Sequence, residues 1–222
     1  MAMVTIIADA SFCPASRAAG WAAWIKADGR DSALISGAIT KIAPASSGEA
    51  EFFAVANALF KAVQDGFIGP SDRVMIQSDC VAVLEAMLWG LDCQESQHPD
   101  GCGLQRPRRR PSLTTGAGER ALTTIGGIAA PLDLKLFVRH VRGHTSGGGR
   151  QWVNRACDRA ARQAMEAARR NRTPEGHPGP PLTADLKPKA QSRKDRRRKR
   201  QKARREASKL APATGAEHVA EC

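Results

Sequence analysis

Two periodicities divide the chain. From residue 4 to residue 40 the apolar positions come in short strand-like bursts, and from residue 50 they recur at helical spacing. Residues 4–8, Val-Thr-Ile-Ile-Ala, suit a central strand. Residues 18–26, carrying Trp21, Trp24 and Ile25, and residues 32–40 continue a meander, with Asp28-Gly29-Arg30-Asp31 as the turn between them. Ser46 or Ser47 then offers an N-cap. Phe52, Val55, Ala56 and Leu59 form an apolar stripe, and Asp65-Gly66 ends that helix. Further along, the pattern predicts a strand at 74–78, helices at 81–89 and 119–128, a strand at 134–141 and a helix at 152–170. Residues 92–118 are irregular. The order β-β-β-α-β-α-α-β-α implies an α/β domain, a mixed five-stranded sheet with helices on both faces.

Charge changes the picture at the C-terminal end. The 222-residue chain carries +12, but residues 187–209 hold thirteen Lys and Arg against Asp195 and Glu206, so nearly all the excess lies there. The expected organisation is a catalytic domain over 1–170 and a proline-containing linker with a basic, disordered tail over 171–222, ordered only on a polyanion. The tail has no aromatic residue, so phosphate attraction rather than base stacking is its expected mode. Six cysteines lack any C-x-x-C spacing, which favours free thiols in a reducing compartment. No apolar run reaches membrane-spanning length, and Asp9 interrupts the first one, so a cytoplasmic protein without a membrane partner is expected.

Four acids carry the candidate chemistry. Asp9 and Asp79 each follow an apolar strand, Glu51 lies in the first turns of the first long helix, and Asp158 lies in the last one. A carboxylate at the end of a buried strand packs poorly but binds a hard cation well. Four of them with His144 suggest magnesium-dependent phosphodiester hydrolysis. Each has a simpler role available: strand termination for Asp9 and Asp79, a helix-dipole contact for Glu51, and an ion pair with Arg155 or Arg162 for Asp158. Glu49 competes with Glu51. The register of Phe52, Ala54 and Val55 favours Glu51.

Val4-Thr5-Ile6-Ile7-Ala8-Asp9-Ala10-Ser11 resembles the opening strand of the ribonuclease H family. Glu49-Ala50-Glu51-Phe52-Phe53-Ala54 resembles its first helix, and Ser78-Asp79-Cys80 its T-D-S strand end. Val141-Arg142-Gly143-His144-Thr145 is similar to its V-K-G-H loop, and Asn154 through Ala161 to its N-x-x-x-D-x-x-A helix. The resemblance covers residues 4–168. It implies that Asp9, Glu51, Asp79 and Asp158 bind two Mg²⁺ ions, or Mn²⁺ in their place. It also implies that His144 assists proton transfer or product departure. The implied activity is cleavage of the RNA strand of RNA·DNA hybrids to 5′-phosphate and 3′-hydroxyl ends; the chain is expected to act as a monomer.

The same comparison places nucleic-acid contacts at Ser11, Cys13, Ser47 and Gly48, and a basic protrusion at Arg106, Arg108, Arg109 and Arg110. Arg196, Arg197, Arg198, Lys199 and Arg200 of the tail are the further expected phosphate contacts. The chain departs from the family at Ala10, where glycine is usual, at Ser47 and Gly48, where asparagines are common, and at Cys80 in place of serine. These departures bear on substrate choice more than on catalysis. A nuclease for DNA junctions or structured nucleic acid, and a non-catalytic basic binding protein, are the two alternatives.

Overall fold

The computed structural model describes residues 1–95, 104, 106–141 and 151–172. Its strands are β1 (Met3–Cys13), β2 (Ala18–Ala27), β3 (Ala33–Ala38), β4 (Arg73–Ser78), β5 (Cys93–Glu95) and β6 (Lys135–His140). Its helices are α1 (Ser47–Gln64), α2 (Val81–Gly90), α3 (Gly116–Ala129) and α4 (Gln151–Arg172). The sheet order is β3-β2-β1-β4-β6-β5. β2 runs antiparallel to β1 and β3, while β1, β4, β6 and β5 are mutually parallel.

The sheet has six strands rather than the expected five. The extra one is the three-residue β5, which pairs Cys93 with Leu136 of β6. Three residues are too few to show the alternation by which a strand is read. β1 is also longer than expected. It does not stop near Asp9 but continues beside β2 as far as the Cys13–Ala18 pair.

Side chains of β1 alternate between two cores. Val4, Ile6 and Ala8 join Phe52, Val55 and Leu59 of α1 and Leu84, Met87 and Ile125 of α2 and α3 in the main core. Ile7 faces the other way, onto Val153, Cys157 and Ala161 of α4. That second interface is thin because it is built from small residues. Gly20 of β2 is its closest point: a Cβ there would stand 2.2 Å from Met165 N and 2.3 Å from Ala161 O. Cys157 adds a weak Sγ–H bond of 3.6 Å to Ile7 O. α4 is thereby held against β1 and β2 one residue from Asp158.

α1 begins as expected, with Ser46 as N-cap accepting from Glu49 N at 3.2 Å. Glu49 reaches back to Ala45 N at 2.6 Å. The helix closes at Asp65, and Gly66 follows at φ +73°, a conformation glycine adopts without cost. Asp72 ties together the starts of the central strands β1 and β4, its two carboxylate oxygens accepting from Ala2 N at 2.6 Å and Gly69 N at 2.8 Å. Those two bonds hold its carboxyl below the usual range. Among the described residues no helix is long and apolar enough to cross a membrane.

Candidate metal centre

β1 and β4 pair in parallel up to Ile7 and Gln77. Two residues further on, beyond the last parallel pair, the same register brings Asp9 and Asp79 side by side. β4 ends at Ser78, so among the described residues nothing pairs with that edge of β1 past this point, and two carboxylates share the opening. Glu51 enters from the second turn of α1. Asp9, Glu51 and Asp79 each offer an oxygen within 4.8 Å of the others. Three elements far apart in sequence thus deliver three acids to one point.

The structure brings Glu51, not Glu49, beside Asp9 and Asp79. Glu49 is engaged at the start of α1, while Glu51, two residues on, projects to Asp9 and Asp79.

The local electrostatics are costly. Asp9 accepts from Ala10 N at 2.8 Å, yet burial, then Asp79, then Asp158 push its pKa up to about 6. Burial, then Asp9 and Asp79, push Glu51 up to about 9. Cys80, at the N-cap of α2, is raised as well, chiefly by burial, so its thiol stays protonated at neutral pH.

Whether these residues suit a cation can be judged from Glu51 itself. Its Oε2 is buried with no hydrogen-bond partner among the described residues. A buried, unsatisfied carboxylate oxygen facing two further carboxylates is a poor packing element and a good ligand for a hard divalent ion. The donor set is all oxygen, which suits Mg²⁺ or Mn²⁺ and not a thiolate-seeking metal.

Asp158 stands apart from the triad. It is near enough to raise Asp9, but its Oδ1 accepts from Arg162 at 3.4 Å on the same helix. This i,i+4 pair is solvent-exposed and weak, so Asp158 can exchange it for another cation. His144 lies outside the described residues, as do Arg196, Arg197, Arg198, Lys199 and Arg200. His140 lies near Asp79 O, 3.3 Å from its Nε2.

The expected nucleic-acid contacts divide. Ser47 is exposed, and Ser11 and Gly48 are half-buried, with Gly48 lying against Leu113. Cys13 corrects the expectation: it is 9% exposed and packs with Ala18, Met165 and Ala168 in the core beneath α4. Its place near the end of a strand whose side chains alternate faces turns it inward. Arg106 donates to Leu88 O at 2.6 Å and Leu91 O at 3.2 Å, closing the end of α2. Arg110 donates to the side chain and backbone of Thr114. Arg108 and Arg109 are exposed. The cluster therefore braces its own segment with two arginines and presents the other two.

Gly20 and Cys157, which set the position of α4, carry no chemistry that would mark them in the sequence. A glycine inside a strand, where close backbone approach is common, is the available signal.

No family model matches the chain, and no curated protein matches it in sequence. Solved structures do. The N-terminal RNase H domain of a Mycobacterium tuberculosis protein, solved as a maltose-binding-protein fusion, aligns with a TM-score of 0.51 at 18% identity. That alignment covers 78% of this chain and 100% of that one. RNase H1 from Halobacterium salinarum aligns at 0.47 and 16% identity, over 75% of this chain and 99% of that one. LC11-RNase H1, solved in complex with an RNA/DNA hybrid, aligns at 0.49 and 17%, over 74% and 98%. The fold is that of ribonuclease H.

Proposed function

We propose that this protein is a metal-dependent endonuclease that hydrolyses the RNA strand of RNA·DNA hybrids, leaving 5′-phosphate and 3′-hydroxyl ends. The observation that carries the reading is the convergence of Asp9, Glu51 and Asp79, with Glu51 Oε2 buried and unpartnered among the described residues. Asp9, Glu51 and Asp79 would hold the divalent cations, two in the full reading, with Asp158 completing the set once it leaves Arg162. Such ions supply charge neutralisation at the phosphate and a deprotonated water at neutral pH.

The protein's own contribution is placement. The paired ends of β1 and β4 fix two carboxylates, α1 fixes the third, and the packing of α4 on Gly20 fixes how near Asp158 stands. His144 is assigned the proton-transfer or product-release role on sequence grounds.

The substrate is tested by incubating the full chain with labelled RNA·DNA hybrid, duplex RNA, duplex DNA and a DNA junction, each with Mg²⁺ or Mn²⁺. RNA-strand cleavage of the hybrid is expected. Cleavage of DNA alone would move the assignment to a junction or structure-specific nuclease, and no cleavage of any substrate would leave a binding protein.

The basic segment 187–209 is assigned to phosphate attraction. Each phosphate contact adds about 0.7–0.9 to the slope of log affinity against log salt, so even five engaged residues contribute about 4. Deleting 187–209 should flatten the slope by that order in a salt titration of hybrid binding by the Asp79→Asn protein. An unchanged slope removes the segment from the binding surface.

A further inference from the structure

Asp79 lies in the turn between two elements and is held by neither of them alone. β4 ends one residue before it, at Ser78, and α2 begins two residues after it, at Val81. A carboxylate on such a turn makes a good metal ligand only when neighbouring groups fix the turn. Here the bracing comes from the far side of β4, from β6.

His140, the last residue of β6, lies opposite Ser78, the last residue of β4. Val141 N extends the pairing by one bond, donating to Ser78 O at 3.1 Å. Leu136 and Val138 of β6 lie in the main core, so alternation turns the half-buried His140 to that same face, the one from which α1 brings Glu51. Its Nε2 stands 3.3 Å from Asp79 O. A carbonyl oxygen can only accept, so His140 donates there, in the tautomer with its hydrogen on Nε2. The bond is modest in length, but it does not act alone. Cys80 N donates to Ser78 Oγ at 3.1 Å. Asp79 O and Cys80 N–H are the two ends of one peptide plane, so that plane is held from both sides. With it is held the ψ angle of Asp79, and hence the direction of its side chain relative to β1 and α1.

We infer that His140 is a positioning residue of the metal centre: by holding the Asp79–Cys80 peptide it sets where the Asp79 carboxylate stands relative to Asp9 and Glu51. It acts through the backbone of Asp79 and not as a ligand, and its task is distinct from the one assigned to His144. The inference rests on the cation site of the proposed function and not on the choice of nucleic acid. It makes β6, which contributes no acid to the triad, a structural part of the site.

The test is a calorimetric titration of the full chain with Mn²⁺, without nucleic acid, on the wild type and three variants. Each is titrated well below its own melting temperature in EDTA, so that affinity is read on folded protein. His140→Leu keeps the bulk and lacks the donor. It should bind Mn²⁺ about tenfold more weakly, the lower end of the loss usual when the support of a ligand is removed. His140→Gln carries an amide N–H to the place of Nε2 and should restore most of the affinity. His140→Asn carries the same amide one carbon short and should bind as weakly as His140→Leu. Equal affinity in the wild type and His140→Leu overturns the inference and leaves the cation site standing, as does a His140→Gln protein no better than His140→Asn. A wild type that binds no Mn²⁺ overturns the inference and the cation site together.

Discussion

Glu51→Gln should abolish metal-dependent cleavage and, in the absence of metal, make the protein more stable. The first effect follows from removing one of three converging carboxylates. Loss of groups that merely orient metal ligands costs about 10–100-fold, so loss of a ligand itself should cost at least about 100-fold in rate. The second follows from the pKa. Glu51 is raised from 4.5 to about 9 and Asp9 from 3.8 to about 6, mainly by burial. For an acid raised in the folded state, the contribution to stability is complete below the unfolded value. It is lost as pH rises through the folded one. The metal-free wild type should therefore lose stability between about pH 4 and pH 9 from these two groups.

The glutamine amide carries no charge at any pH, so the variant should lose less over that window. Its melting temperature should exceed that of the wild type by roughly 2–4 °C at pH 8, what about 1 kcal/mol is worth in a chain of this size. The gap should close toward pH 4. Divalent cations should reverse the order, stabilising the wild type and not the variant. Melting curves at four pH values, in EDTA and in Mn²⁺, check all of this. A wild type that grows more stable relative to the variant as pH rises, in EDTA, would contradict the assigned burial of the acid cluster.

Gly20→Ala should be strongly destabilising. The added Cβ would meet Met165 N at 2.2 Å, Ala161 O at 2.3 Å and Ala164 C at 2.8 Å, all of them backbone. Backbone atoms of a packed helix cannot rotate away, so α4 must move as a body. Overpacking of this kind costs about 3 kcal/mol, the upper end of its usual range, or roughly 6–12 °C in melting temperature. Moving α4 also moves Asp158, so cleavage should fall further than stability alone explains. Gly127→Ala supplies the opposite sign. Gly127 lies exposed within α3, and a Cβ there meets nothing within 4 Å. That substitution should stabilise by about 0.5–1 kcal/mol. If both variants melt like the wild type, close backbone packing of α4 on β2 is not what holds that face.

Much of this organisation is readable from residue types because local chemistry decides it. Ser46 and Gly66 bound α1 because a hydroxyl cap and a left-handed glycine do that work wherever they occur. Val4, Ile6 and Ala8 face α1 because strand alternation leaves no other choice. The convergence of Asp9 with Asp79 needs one further fact, the parallel pairing of β1 and β4, which the βα order of the chain implies. Two features are not legible. β5 is too short to carry a pattern, and its existence depends on β6 offering an edge. The inward turn of Cys13 depends on β1 continuing past Asp9, which its partner β2 decides.

The central claim is that Asp9, Glu51 and Asp79 form a cation site at which a phosphodiester is cut. It is tested most directly by comparing the wild type with Asp79→Asn on one labelled RNA·DNA hybrid, in Mg²⁺ and in EDTA, measuring cleavage and binding together. The account predicts RNA-strand cleavage by the wild type in Mg²⁺ alone, and undiminished hybrid binding without cleavage by Asp79→Asn. Cleavage that survives either the substitution or the removal of metal would contradict it.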